Sequence, residues 1–331
     1  MSFATTLEHL ALGQNLTRIQ AQESFDSMFS GTMSPAQSGA LLLGLRAKGE
    51  TADELSAAVQ AALKQARHVR HQRPRSIDTC GTGGDGKKSF NCSTAVALFL
   101  AQMGYTVVKH GNKAVSGNCG SADVIDHFNI PFVQDESDVP GFLDRANFVF
   151  LFAQHFHPAF GSIAPIRKEL GIPTLFNLMG PLLNPARPTH QLLGVGRRSS
   201  MDIVAQALAM SDIEHGVVVH GAEGFDELTP CGPAEVVYVH QGRCRPAMID
   251  PSSLGIRPCP PQDLCYPDKS QALEVMKAVL SGQGPEPVLD MVALNLALAV
   301  HILEDELALD RCLDLARSAI RQGIDLGRFH A

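Results

Sequence analysis

At 331 residues the chain is longer than a typical single domain, and with 45% hydrophobic and 18% charged residues it can build a sizeable core, which excludes intrinsic disorder. A formal net charge of −7 with no long Lys/Arg run argues against a nucleic-acid backbone as the main partner; small anions stay compatible, because glycine amides, a few cations and a metal ion can hold them locally. No run of about 18 uncharged apolar residues occurs and residues 1–12 lack the basic and apolar regions of a signal peptide, so the expectation is a cytoplasmic protein with no membrane partner. The 8 cysteines include no CxxC pair, which argues against a disulfide framework and a zinc knuckle.

Residues 1–70 read as a helical domain, with apolar spacing through Leu16, Ile19 and Phe25, then 40–45, then Leu55, Val59 and Leu63. Ser34-Pro35-Ala36-Gln37 and Thr51-Ala52-Asp53-Glu54 are capping boxes, the first with proline at the opening helical position. From residue 71 to 331 the texture is α/β. Strand-like runs at 76–79, 105–109, 148–152, 191–195, 216–220 and 236–240 alternate with helical stretches at 93–103, 122–128, 138–145, 201–210, 270–280 and 290–303, which predicts a mostly parallel central sheet. Two proline-rich stretches, 171–188 and 251–267, interrupt the pattern, and part of the first is expected to return to and complete the helical domain.

The strand at 76–79 runs into Cys80-Gly81-Thr82-Gly83-Gly84-Asp85-Gly86, and Asn91-Cys92-Ser93-Thr94 then opens a helix. Glycines let backbone N–H groups turn toward an anion and the helix start adds its positive dipole end, so this is a phosphate cradle in outline. It has neither the GKS/T of a P-loop nor the Rossmann spacing, and a plain glycine-rich turn satisfies the same residues. A second glycine-rich loop with cations and hydroxyls, 109–123, follows one helix and one strand later, and two such loops converge at the carboxyl edge of a parallel sheet. Asp226-Glu227 lies just past the strand 216–220; adjacent carboxylates there can hold Mg²⁺ through oxygen, or be an ordinary solvated pair. Arg167, in a helix expected over 157–171, offers a planar fork for a carboxylate, or a surface ion pair. His155 and His157, two apart, would share one face of a strand and read as pocket lining or caps, since no third ligand follows at a metal-site spacing.

These motifs, together with Lys109-His110-Gly111-Asn112, Gly120-Ser121-Ala122-Asp123, Ala164-Pro165-Ile166-Arg167 and Phe176-Asn177-Leu178-Met179-Gly180-Pro181-Leu182, closely resemble the anthranilate phosphoribosyltransferase family over nearly the whole chain. The resemblance implies a small N-terminal helical domain plus a large α/β domain of the nucleoside phosphorylase/phosphoribosyltransferase type, a site in the cleft, homodimerisation through the helical domains and a role in tryptophan biosynthesis. It implies contacts to phosphoribosyl pyrophosphate from Gly81, Gly84, Asp85, Ser89, Asn91, Cys92, Ser93, Thr94, Lys109, His110, Gly111, Asn112, Lys113, Ala114, Val115, Ser116, Gly117 and Ser121. Gly81, Asn112 and Arg167 match the family's anthranilate contacts, and Ser93, Asp226 and Glu227 its Mg²⁺ positions. No catalytic nucleophile or base is assigned, although His110 is a conceivable proton acceptor. The chain departs from the family pattern at Ser89, Asn118, Cys119, Phe156, Phe160 and Gly161-Ser162, mostly around acceptor entry. Another aminobenzoate acceptor, pyrimidine nucleoside phosphorolysis on the related fold, and a non-catalytic relative binding nucleic acid or a regulator are the alternatives.

Overall fold

The computed structural model describes residues 3–83, 86–113, 119–305 and 307–330. Four helices open the chain: α1 (Phe3–Ala11), α2 (Arg18–Phe29), α3 (Pro35–Lys48) and α4 (Ala52–Lys64). Ser34 and Thr51 cap α3 and α4 through the expected boxes with Gln37 and Glu54, and Thr17 with Gln20 adds a third box at α2. Glu54 also accepts the Leu16 N–H at 2.8 Å and pairs with Lys48 at 2.8 Å, so this fully buried carboxylate is satisfied while tying α4 to the start of α2.

The α/β part comprises β1 (Ile77–Gly81), α5 (Cys92–Gln102), β2 (Val107–Gly111), α6 (Ser121–His127), α7 (Val139–Ala146), β3 (Phe148–Phe152), α8 (Ala153–Phe156), α9 (Phe160–Leu170), α10 (Phe176–Met179), β4 (His190–Gly194), α11 (Arg198–Ala209) and β5 (His215–His220). It closes with β6 (Ala234–His240), β7 (Arg243–Ile249), α12 (Lys269–Leu280), α13 (Glu286–Leu303) and α14 (Leu309–Gln322). The strands form a 7-stranded sheet in the order β3-β2-β1-β4-β5-β6-β7. β3 through β5 are mutually parallel, and β6 and β7 are an antiparallel extension. The sequence reading omits β7, whose Arg243, Arg245 and Pro246 suit a half-exposed edge strand better than a buried one. It also omits α14, an amphipathic helix packed on α13.

Burial explains the layers. One core lies between the sheet and α5, α12, α13 and α14; a second joins α2, α3, α4 and α11 to the opposite sheet face and also takes in Leu175, Phe176, Met179 and Leu183 from the stretch 171–188; a third, with Val69, Val108, Leu143, Leu151 and Phe156, packs around β2, β3 and α7. Among the described residues α13 is the one helix long and apolar enough to cross a membrane, yet 72% of it is buried within the protein, which makes it a core helix here. At the lower edge of the sheet, His190, His215 and His240 sit side by side on β4, β5 and β6 in register. The His215 and His240 rings stack at 4.8 Å, and His215 Nδ1 lies 2.8 Å from Asp305.

Candidate active site

Parallel pairing brings Gly81, Gly194 and Val219 to one level and Gly111 opposite Phe152, so the loops after β1, β2, β4 and β5 all leave from the same carboxyl edge. The turn after β5 folds Asp226 and Glu227 back across the ends of β1 and β4. Three glycines permit this approach. A Cβ at Gly81 would collide with the Asp226 carboxylate, one at Gly194 with the Asp226 backbone carbonyl, and one at Gly221 with the Glu227 carbonyl. From behind, buried Asn295 on α13 grips Leu228 twice, accepting its N–H at 3.0 Å and donating to its carbonyl at 2.8 Å.

The acidic pair is tied into the first glycine loop. Gly83 N–H donates to Asp226 Oδ2 at 3.1 Å, and Ser93 N–H, at the start of α5, donates to Glu227 Oε1 at 3.0 Å. A carboxylate at a helix N-terminus gains from the dipole and from an N–H that lacks a helical partner. Ser93 is further fixed because its carbonyl accepts the Thr79 hydroxyl at 2.8 Å. Cys80, Ser93, Gly194, Asp226, Glu227 and Asn295 line a small crevice at this junction. The ordinary solvated pair is thereby replaced by an anchored one.

The second loop is joined to the first by the Asn91 side-chain amide, which donates to the Cys119 carbonyl. Ser121 Oγ and Ala122 N–H donate to the Asn112 carbonyl at 3.4 and 3.2 Å, closing the loop at its base. The Asn112 side chain accepts from Gln154 Nε2 at 3.4 Å, and the Lys113 side chain is exposed. Ser89 pairs with Cys265 in an isolated bridge that pins the segment before Asn91. Gly84, Asp85, Ala114, Val115, Ser116, Gly117 and Asn118 lie outside the described residues.

Several expected contacts are placed differently from the simplest reading. Lys109 is buried and its ammonium turns beneath the first loop onto the Thr79 carbonyl, where burial lowers its pKa while Asp78, Cys80 and Glu227 counter that. Cys92 directs its thiol into the core toward Met291, so it reaches the site only through its backbone. The Thr94 hydroxyl is buried without a hydrogen-bond partner among the described residues. Phe156 packs in the core with Val69 and Val108 instead of lining an entry. His155 and His157 do not share a strand face: α8 ends between them, His155 meets the Phe152 ring, and His157 is buried with Nε2 2.8 Å from the Leu183 carbonyl.

His110 and His157 form an edge-to-face pair at 5.1 Å, with His110 Nε2 and His157 Nδ1 both buried and without a hydrogen-bond partner among the described residues. Burial pushes His110 well below the usual histidine range and His157 down to about 4, so both are neutral at pH 7. Beneath them Asp78, held by Asn184 at 2.8 Å, is pushed up to about 6, chiefly by burial against the pull of Lys109.

These groups set an acid sensitivity. His190, like His157, is pushed down to about 4 by burial, so between pH 6.5 and 4 the unfolded chain takes up protons that the folded histidines refuse. Stability is therefore full above about pH 6.5 and falls on acidification through that window, by about 2 kcal/mol per histidine at pH 5. Asp78 works against this, because the folded form takes up its proton near pH 6 and the unfolded form only near 3.8. The histidines outnumber it, and urea unfolding at pH 7 and pH 5 should show a lower midpoint at pH 5; an unchanged midpoint would contradict the balance.

Arg167 projects from α9, the helix expected over 157–171 and observed over Phe160–Leu170. It is half-buried, makes no ion pair among the described residues, and its guanidinium carbon lies 5.1 Å from the centre of the Phe176 ring. The surface ion pair is ruled out for this residue in the described structure.

The model of the glycosyl transferase family a/b domain matches residues 73–325, and that of the family's helical bundle domain matches residues 4–66. Over 323 residues the chain is 50% identical to the anthranilate phosphoribosyltransferase of Oleidesulfovibrio alaskensis, covering 98% of each protein. The chain belongs to the anthranilate phosphoribosyltransferase family. It is also 47% identical over 330 residues to the family member of Nitratidesulfovibrio vulgaris, again covering 98% of each. Among solved family members, the Thermus thermophilus enzyme superposes with a TM-score of 0.87 at 34% identity, covering 96% of this chain and 94% of that one. The Saccharomyces cerevisiae enzyme, solved in complex with PRPP and Mg, superposes with a TM-score of 0.88 at 26% identity over 97% of this chain and 94% of that one.

The sequence reading named Gly81, Ser93, Asp226, Glu227 and Asn112 but missed the residues that press them together. Gly194 and Gly221 carry a readable signal, a glycine ending each strand-like run. Phe176 opens the motif 176–182 that carries the family resemblance, with no role assigned to it, and Asn295 carries no signal that composition or spacing would single out.

Proposed function

We propose that this chain transfers the phosphoribosyl group from phosphoribosyl pyrophosphate to anthranilate, giving N-(5-phosphoribosyl)anthranilate and pyrophosphate in tryptophan biosynthesis. The observation that carries this reading is the single hydrogen-bonded unit formed by the first glycine loop, the start of α5 and the Asp226-Glu227 pair. A diphosphate fits such a unit, because N–H groups and a helix start face anions while carboxylates bring a cation.

The residues present suit Mg²⁺. Asp226, Glu227 and the Ser93 hydroxyl are hard oxygen donors, and no group of three or more His, Cys, Asp or Glu gathers among the described residues. Two carboxylates without an all-protein cage match an ion that keeps waters and takes phosphate oxygens. When bound, Mg²⁺ neutralises charge on the diphosphate. In the reaction the amine nitrogen bonds to C1 of the ribose as the C1–oxygen bond breaks, its electron pair leaves with pyrophosphate, and the amine proton is lost. Glycine amides of the first loop hold the leaving group, Arg167 binds the acceptor carboxylate, and Asn112 orients the amine. No protein nucleophile is needed. Neutral His110 lies near the end of β2, two residues before Asn112 in the loop that follows, and no base is assigned.

The domain boundary falls at 70/71 in this reading, in the gap between the stretches that the two domain models match, 4–66 and 73–325, with part of 171–188 returning to the helical domain. A homodimer through that domain is supported by Leu12, Ile19 and Leu43, which are 63, 71 and 51% exposed. The decisive measurement is pyrophosphate release from phosphoribosyl pyrophosphate and Mg²⁺ across a panel of aminobenzoates. Release is expected with anthranilate and should weaken when the carboxylate is moved away from the ortho position; silence across the panel would remove the acceptor assignment.

A further inference from the structure

Arg167 poses a physical problem that its assigned partner does not solve. A half-buried guanidinium with no acidic neighbour loses hydration without a compensating charge, and burial alone lowers its pKa. Among the described residues, what it has is an aromatic ring, Phe176, at 5.1 Å. A ring face at that range attracts a cation, and the attraction grows as water is excluded.

Phe176 is itself locked. It is 4% exposed, begins the short helix α10, and meets Phe160 of α9 at 5.5 Å and Phe29 of α2 at 6.0 Å, both edge-to-face. Phe29 and Phe160 close the triangle at 5.2 Å, and the turn before α10 is fixed because Thr174 N–H donates to the Asn177 side chain at 3.0 Å. The ring therefore cannot swing away without disturbing three helices, and the cation over it is held in one region of space. A ring, unlike a carboxylate, attracts the guanidinium without consuming its hydrogen-bond donors, so the planar fork stays available for an incoming anion.

We propose that Phe176 is the positioning residue that holds the Arg167 guanidinium ready for the acceptor's carboxylate, with Phe29 and Phe160 fixing the ring. The proposal rests on the reading of Arg167 as the carboxylate-binding residue, and it assigns Phe176 no contact with substrate. It predicts a penalty confined to acceptor binding.

The test is steady-state kinetics on the full chain with anthranilate. Phe176→Leu should raise the anthranilate KM about tenfold, with kcat and the phosphoribosyl pyrophosphate KM within twofold. Phe176→Tyr, which keeps the ring, should restore the KM to within threefold, and Phe176→Leu placed on Arg167→Ala should add nothing further. Should the leucine variant not fold, a ring-trifluorinated phenylalanine at position 176 preserves shape while depleting the π face, and the same KM rise is expected at unchanged Tm. An impaired Arg167→Ala enzyme beside Phe176 variants of unchanged KM would overturn the positioning role alone. An Arg167→Ala enzyme with unchanged anthranilate KM would overturn the carboxylate reading and this proposal with it. Equal penalties from Phe176→Leu with and without Arg167 would mark Phe176 as packing only.

Discussion

Asp226→Asn is expected to lower kcat/KM for phosphoribosyl pyrophosphate on the order of a thousandfold while leaving the fold intact. The amide oxygen can still accept the Gly83 N–H that Asp226 Oδ2 now accepts at 3.1 Å, and asparagine adds no volume beside Gly81, so the loop keeps its shape. What disappears is the negative charge that makes one of two adjacent carboxylates a magnesium ligand. Removing one preorganised electrostatic element of a transition state costs about 3–4 kcal/mol, which is the basis of the magnitude. The diagnostic readout is a Mg²⁺ titration of the rate. The half-saturating concentration should rise steeply in Asp226→Asn and the maximal rate should not recover at high Mg²⁺, with a thermal midpoint near that of the parent. An unaltered Mg²⁺ dependence would mean that the ion is held elsewhere.

The legibility of this chain in its sequence follows the range of the interactions involved. The caps at Ser34 and Thr51 are three-residue events and are read directly, as are the parallel strands β2 to β5, whose apolar or β-branched runs announce burial. β7 is different: its arginines and Pro246 are what an edge strand needs, and they suppress the apolar signal by which strands are found. In the site, Gly81, Gly83 and Ser93 are visible because a glycine loop running into a helix start is a local pattern. The anchoring of Asp226 and Glu227 is not local, since Gly83 lies 143 residues from Asp226 and Ser93 134 residues from Glu227. An acidic pair looks alike in a sequence whether solvated or gripped. The fates of Lys109 and Cys92 were hidden for a related reason: both lie beside glycine loops, and only the packing of β1 and α13 behind them turns their side chains away from the cleft. Arg167 shows the converse, because its lack of an ion-pair partner among the described residues is a property that no sequence displays.

The steric side of the site yields the second large effect. Gly194→Ala should cost about 2–4 kcal/mol of stability and reduce kcat/KM on the order of a hundredfold or more, although the substitution adds only one methyl group and no charge. The reason is what that methyl meets. At Gly44 an added Cβ would meet the Leu10 side chain, at 3.0 Å from its Cβ, a contact that a few tenths of an ångström of movement of α1 relieves. At Gly194 it would overlap the backbone carbonyl of Asp226, in a segment fixed from the far side by both Asn295 hydrogen bonds to Leu228. Neither wall is free to give. β4 is paired on both sides, with β1 and with β5, so relief must come from lifting residues 226–228 off the sheet edge. That motion breaks the contacts of Asp226 with Gly83 and of Glu227 with Ser93 and displaces the carboxylates by the ångström or so that catalytic placement does not tolerate. Gly44→Ala is the matched control, a glycine-to-alanine change in α3 whose contact is with α1 and not with the acidic segment, and it should leave activity within twofold. Urea unfolding and steady-state kinetics on the two variants separate the outcomes. If Gly194→Ala matched Gly44→Ala in both, the close approach of the acidic segment to β4 would not be what places the site.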